Sequence, residues 1–316
     1  MNKKTTNLTI VFLLLITVIY MITCSNKVIE SVGFSISIWK DNLFPTLFPF
    51  FVISNLLMQY GFVELIGKIL TLPMQKLFKL PGEAGFVLAA SLFSGFPSGA
   101  KYTKDLVSEN KLTKEEGARL LTFTHYSNPL FILGMIGTIL LNNKILSFLI
   151  LISHIFGGLL TGYIINHKYN YIKTNNKSKI NKITEPTKTF GELLTKSIFD
   201  SLNTMFLLLG VVTIFLIINS FINQIFSLPP ILNTILSGIL EMTQGVKIAS
   251  YLNTPDIIKI ILITAIISFG GLSVHMQVIS IISQEKISYI PFLLARILHT
   301  ILAVITVTIL FFIFIS

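Results

Sequence analysis

Apolar residues run in long blocks between short polar stretches. Leu8–Cys24, Leu43–Phe62, Leu120–Leu141, Ile145–Ile165, Ser197–Asn219, Ile257–Ser283 and Ile290–Ile315 each have the length a helix needs to cross a hydrocarbon core about 30 Å thick. Pro45 and Pro49 sit early in the second block, where the first helical turn has unpaired N–H groups anyway. Ser25–Lys40 is mixed and carries Lys27, Glu30 and the single tryptophan, Trp39, a composition suited to the headgroup level. Glu64–Glu83 places Lys68, Lys76 and Lys79 among apolar residues at helical spacing. An amphipathic helix on the lipid surface and a connector packed on protein both fit that pattern.

Other blocks are interrupted. Ala84–Phe93 supplies roughly 15 Å of helix, half a bilayer core, before Ser94-Gly-Phe-Pro-Ser-Gly-Ala-Lys101 breaks it with two glycines and a proline. Lipid cannot satisfy the backbone groups such a break frees, so a break at membrane depth has to face protein or a watery cavity. A helix that stops at the surface, with Lys101 as a snorkelling anchor, is the alternative. Leu120–Leu141 has His125-Tyr-Ser-Asn-Pro129 at its middle, and Ile231–Lys247 is a second short apolar segment followed by Gly245 and Lys247.

Composition fixes the class. Apolar residues make up 53% and charged residues 12%, and the mean hydropathy is +0.79, as expected of a polytopic membrane protein. The net charge of +10 gathers in loops, which points to orientation in a membrane and away from nucleic acid. Lys101–Arg119 is one such loop, with acidic partners. Asn166–Lys196 is the other, with Lys168, Lys173, Lys177, Lys179, Lys182, Lys188 and Lys196 against Glu185 and Glu192, and it is expected in the cytosol. Lys3 and Lys4 ahead of Leu8–Cys24, with no small-residue cleavage site after it, predict an uncleaved first span with a cytosolic amino end. A single cysteine, Cys24, rules out a disulfide framework, and His125, His154 and His275 lack ligand spacing, so neither a metal nor another cofactor is expected.

The two sides of the basic linker match in order. Asp41-Asn-Leu43 recurs as Asp200-Ser-Leu202, and Leu72-Pro73 as Leu228-Pro229. Ser94-Gly95 with Gly99-Ala-Lys101 recurs as Ser237-Gly238 with Gly245-Val-Lys247, Asn128-Pro-Leu130 lies opposite Gly270-Gly-Leu272, and Asn143-Lys144 lies opposite Glu285-Lys286. With the amino end and the linker both inside, Leu43–Phe62 runs inward and Ser197–Asn219 outward. The halves are then inverted, the arrangement that puts a transporter's site at a pseudo-two-fold interface. The expectation is an all-α polytopic membrane protein of two inverted repeats, each with a broken or re-entrant segment. It has about seven crossings plus two re-entrant segments (82–101 and 231–247), or more crossings if either segment goes through. The parts are an anchor at 1–33, a first repeat at 34–165, the linker at 166–196 and a second repeat at 197–316.

Leu80-Pro-Gly82, Ser94–Lys101, Phe123-Thr-His-Tyr-Ser-Asn-Pro-Leu-Phe131 and Ser268-Phe-Gly-Gly-Leu-Ser-Val-His275 resemble the YlbJ-type sporulation integral membrane proteins. That group carries the nucleoside-recognition "Gate" domain and is related to concentrative nucleoside transporters. The resemblance covers nearly the whole chain from Phe34. It implies a transporter-like fold, an endospore-forming source and a role in late sporulation, with dipicolinate moving toward the forespore. It also implies the cell membrane or the outer forespore membrane as location.

A flat dicarboxylate needs cationic or N–H-rich ends and an apolar slot. Lys101 and Lys247 occupy equivalent positions and are candidates for the two ends. Helix N-termini at Ser98-Gly99 and Gln244-Gly245 would add backbone donors. Ser94, Gly95, Ser127, Asn128, Gly270, Gly271 and Ser273 would let polar groups and bare backbone approach a solute. Close helix packing explains the glycines equally well, and an interhelical bond or a kink at Pro129 explains Ser127 and Asn128. Arg296 and His299 lie one turn apart in the last span, and Glu241 is the expected ion-pair partner of Arg296. A proton-coupling role for His125 or His275 is open. Three classes remain: a carrier for dipicolinate, a nucleoside or another small solute; a sporulation scaffold on a transporter fold; and an intramembrane enzyme, disfavoured because no His-Glu-x-x-His or nucleophile elbow occurs. Expected partners are the solute, the bilayer and, as possibilities, a second copy or other sporulation membrane proteins.

Overall fold

A computed structural model describes residues 3–169 and 189–315; residues 170–188 of the basic linker lie outside the described residues. Among the described residues the chain is helical throughout, without strands. Helix α1 (Lys3–Thr23) meets the run Ser25–Leu43 at 98°; that run is α2 (Ser25–Ile38) and a π-helical turn at Trp39–Leu43, and α3 (Phe44–Gln59) follows it. The junction expected at residues 33 and 34 therefore falls inside α2. Gly61, at φ 81°, turns the chain into α4 (Phe62–Pro73). Helix α4 packs one face on α5 (Ala84–Ser94), with Gly82 against the Gly67 carbonyl and Gly85 against Leu70, and leaves Leu65, Ile69 and Leu72 exposed.

The remaining elements are α6 (Ser98–Ser108), α7 (Lys114–Leu120), a π-helical segment at Phe131–Leu140, α8 (Lys144–Asn166), α9 (Phe190–Ile225), α10 (Pro230–Leu240), α11 (Met242–Tyr251), α12 (Asp256–Phe269), α13 (Gly271–Ile282) and α14 (Ile290–Phe314). Side-chain caps set several starts. Thr113 with Glu116 and Thr189 with Glu192 form capping boxes at α7 and α9, and the Asn143 carboxamide accepts from Ile145 N and Leu146 N at 3.0 and 3.2 Å.

Four helical runs are individually long and apolar enough to cross a membrane: Lys144–Asn166, Phe190–Ile225, Asp256–Glu285 and Ile290–Phe314. A fifth is added if Asn7–Thr23 and Ser25–Leu43 form one bent span. The sequence-based count is higher because two of its blocks are not single long helices. Leu43–Phe62 becomes a helix of 16 residues, and Leu120–Leu141 divides into the end of α7, an unwound stretch and the π-helical segment. The protein is a polytopic helical membrane protein.

The core forms where glycines admit close neighbours. On α8, Gly157 faces the Ala303 backbone of α14, Gly158 faces Tyr126, and Gly162 faces Phe123. In a membrane, where lipid competes for apolar contact, such small residues let helices approach. The chain breaks at Gly95 (φ 79°), at Glu241 between α10 and α11, and at Gly270 (φ 91°) with Gly271 (φ 72°). Ser237 and Gly238, matched in sequence to Ser94 and Gly95, lie inside α10, so the second break falls at Glu241 instead.

Gly99 has a packing duty. A Cβ there would lie 1.7 Å from the Thr124 carbonyl oxygen, whereas Gly210 on α9 faces open space. Gly99→Ala should lower stability by the roughly 1–3 kcal/mol typical of overpacking or more. Gly210→Ala should raise it by up to about 1 kcal/mol. Thermal unfolding of the purified protein, followed by Trp39 fluorescence, measures both, and a Gly99→Ala variant as stable as the parent would refute the close approach.

Candidate functional site

Pro129 biases Asn128 away from helix, and the chain from Thr124 to Asn128 is unwound. Thr124–Ser127 are buried and Asn128 is half-buried, so their backbone groups need partners from the protein. Arg296, on α14 and 1% exposed, supplies several: Nη2 donates to the Thr122 carbonyl at 3.0 Å and Nη1 to the His125 carbonyl at 2.8 Å. Nη1 also lies 3.0 Å from His299 Nδ1.

The tautomers follow from the partners. His299 Nε2 lies 2.7 Å from the His154 carbonyl, which can only accept, so Nε2 carries the proton and bare Nδ1 accepts from Arg296. His154 Nε2 accepts the Ser127 N–H at 2.9 Å, so its proton is on Nδ1, 3.0 Å from Ser268 Oγ. Both imidazoles are neutral. His275 is likewise engaged at both nitrogens, by Phe269 O at 3.1 Å and Tyr289 OH at 2.6 Å. His125 has neither nitrogen partnered and packs between the Phe96 and Phe292 rings.

The expected ion pair between Arg296 and Glu241 is not formed. Arg296 is occupied by carbonyls and His299, and Glu241 instead caps α11, accepting from Gln244 N at 2.9 Å and from Thr243 Oγ1. A charge inside a membrane had suggested an opposite charge, but a guanidinium is satisfied equally by fixed carbonyl dipoles. Glu241 is 1% exposed, with Ser273 buried beside it. The backbone around it is pressed by Gly271, where a Cβ would come within 3.0 Å of both Gly238 O and Met242 N.

A cavity of about 110 Å³ lies where the first and second breaks approach each other. Asp41, Phe96, Ser127, Asn128, Glu241 and Gln277 line it, with Val212 and Thr243 among the others. The Ser127 hydroxyl is buried without a hydrogen-bond partner. Asn128 bridges the first break, donating to the Ser94 carbonyl at 3.2 Å and accepting from Leu130 N at 2.7 Å.

Other sequence-predicted residues sit elsewhere. Ser94 and Ser98 spend their hydroxyls on the Ala90 and Gly95 carbonyls, at 2.8 and 2.5 Å. Gly95 and Gly99 press on Asn128 and Thr124, Gly245 packs on Gly238, and Gly270 supplies a left-handed turn. Lys101 is buried and donates to Asn55 Oδ1 at 3.0 Å, with the Phe51 ring 4.9 Å away; Asn55 in turn donates to Ser201 Oγ at 3.2 Å. That network ties α6 to α3 and α9. Lys247 and Gln244 instead line a second cleft, so the two lysines meet different neighbours. Sequence reasoning missed Phe96, Thr243, Gln277 and Asn55. It also read Arg119 as part of a solvated loop, whereas Arg119 is 9% exposed and bonded to Asn166 Oδ1 and the Phe78 and Lys79 carbonyls.

Searches of family models and of solved structures give no match. Among curated proteins, the sporulation integral membrane protein YlbJ of Bacillus subtilis (strain 168) is 31% identical over 308 residues, covering 87% of this chain and 75% of that protein. The chain belongs to the YlbJ family. It is a sporulation integral membrane protein, and the buried guanidinium network and the cavity beside it are features of this YlbJ-family chain.

Coupling energies test the reassigned arginine. In double-mutant cycles on thermal stability, Arg296→Met and His299→Leu should couple by about 0.5–3 kcal/mol, as groups in one network do. Arg296→Met and Glu241→Gln should add within about 0.5 kcal/mol. Strong coupling to Glu241 would restore the ion pair.

Proposed function

We propose that this YlbJ-family protein is a carrier for a small polar solute, built from two inverted repeats at 34–165 and 197–316. The observation that carries the reading is a cavity lined jointly by Phe96 at the first break, Glu241 at the second, and the unwound Ser127-Asn128. Broken helices meeting at one cavity are how many carriers form a solute site at a repeat interface.

Packing supports the repeat. Helix α6 of the first half packs on α13 of the second, and reciprocally α11 of the second packs on the π-helical segment of the first. The equivalent pairs α3 with α9 and α8 with α14 also pack on each other. In this reading the amino end and the basic linker are cytosolic, and α5–α6 and α10–α11 enter from opposite sides and return. The Gate-domain relationship is part of the same proposal, as is the outer forespore membrane as location.

Dipicolinate is the proposed solute, from the family resemblance. An apolar cavity of about 150 Å³ takes a benzene, so a cavity of about 110 Å³ has to widen before a dicarboxylated ring enters. Asp41 and Glu241 give the cavity an acidic lining with no cation, which favours a neutral heterocycle such as a nucleoside as the second reading.

Uptake by reconstituted proteoliposomes decides between them. Labelled dipicolinate should accumulate saturably, uridine should not, and Val212→Trp, which fills the cavity from α9, should cut uptake at least tenfold while the protein stays folded. Uptake of uridine alone would replace the solute, and uptake of neither would favour a scaffold.

A further inference from the structure

A second cleft of about 560 Å³ lies between α2, α9 and α11. Its lining includes two lysines, Lys27 and Lys247, against one carboxylate, Glu30. The Lys247 ammonium sits 4.3 Å over the Phe34 ring, and among the described residues it has no carboxylate within ion-pair distance. Lys27 donates to the Gln224 carboxamide. Gln244 and the nearly buried Asn219 add carboxamide N–H donors to the same walls. Two ammoniums, several amide donors and an aromatic face within one concavity are the complement of a small anion with carboxylate or phosphate groups. A lysine held over a ring without a carboxylate keeps its charge available to a ligand.

The cleft shares its walls with the inner cavity. On α9, Leu208 and Val212 line the cavity and Leu216, Asn219 and Asn223 line the cleft, a single stripe at helical spacing over roughly 22 Å. On the α2 run, Phe34 and Ser37 give way to Asp41, and on α11, Gln244 and Lys247 follow Glu241 in the same order. We propose that the Lys27–Lys247 cleft is a binding site for a small carboxylate or phosphate anion and forms the mouth of the inner cavity. The role as a mouth rests on the carrier reading above; the binding of anions does not. It also supplies the cations that the inner cavity lacks, and pairs Lys247 with Lys27 in place of Lys101.

The test is equilibrium binding to the full chain in phosphatidylcholine nanodiscs, with no solute gradient. One arm titrates isophthalate, a flat ring with two carboxylates, and inorganic phosphate by calorimetry. The other follows retention of phosphatidylglycerol by native mass spectrometry. Saturable binding is expected in at least one arm, and the arm that responds identifies a soluble anion or a lipid headgroup as the source. Lys27→Gln and Lys247→Gln should each weaken it about tenfold, Lys247→Arg should retain it, and Glu30→Gln should tighten it. Lys68→Gln, on the exposed face of α4, is the control and should leave binding unchanged. Absence of saturable binding in both arms, or an equal loss in the Lys68→Gln control, overturns the site. Binding that persists where proteoliposome uptake fails would reject the carrier and leave the anion site standing, and the converse result would reject the cleft alone.

Discussion

A polypeptide that unwinds inside a bilayer has to find partners within itself for the carbonyls and N–H groups it frees. Here the side chains of α8 and α14 supply them. Arg296 bridges the Thr122 and His125 carbonyls, and His154 accepts the Ser127 N–H. Guanidinium suits the task because its planar fork keeps its charge and holds several donors in fixed directions. An ammonium at the same place would present one point charge to two separated carbonyls. Arg119, the other arginine in the chain, does the same at the π-helical turn that ends at Phe78, donating to two successive carbonyls.

Holding the unwound stretch in place has consequences for what lies beside it. Gly95 and Gly99 are pressed against Asn128 and Thr124, so the first break cannot shift without moving the stretch that Arg296 holds. Gly271 presses in the same way on the second break at Glu241. The space left between the two is small and mostly apolar, with Glu241 as its one deeply buried carboxylate. Lysines stay out of it, one tied to Asn55 and the other over Phe34 in the neighbouring cleft.

Much of this was legible in the sequence, and the failures are instructive. Apolar blocks located the long helices, and Gly95 and Pro129 located two of the interruptions, because those residues act through local backbone geometry. The break at Gly270-Gly271, inside the block read as the single span Ile257–Ser283, was not anticipated. Charge was the poorer guide. Arg296 was paired with Glu241 and Lys101 with Lys247 because opposite charges and repeat positions can be read along a chain, whereas a carbonyl brought over from another helix cannot. Gly157, Gly158 and Gly162 passed unnoticed for the same reason: a glycine facing Ala303 or Tyr126 has no signature until the helices are packed. Asn55 and Gln277 matter only through what folding brings to them.

The reciprocal packing of α6 on α13 and of α11 on the π-helical segment has functional meaning only if the halves stand opposed in the membrane. That opposition is measured most directly at two exposed positions beside the matched Asn143-Lys144 and Glu285-Lys286 pairs: Lys144, at the start of α8, and Gln284, in the turn between α13 and α14. In a Cys24→Ser background, single cysteines at these positions are treated in intact cells with a membrane-impermeant maleimide. The account predicts that Lys144→Cys labels in intact cells and that Gln284→Cys labels only after permeabilisation. Labelling of both from the same side would contradict the inverted arrangement and remove the basis for a shared solute site.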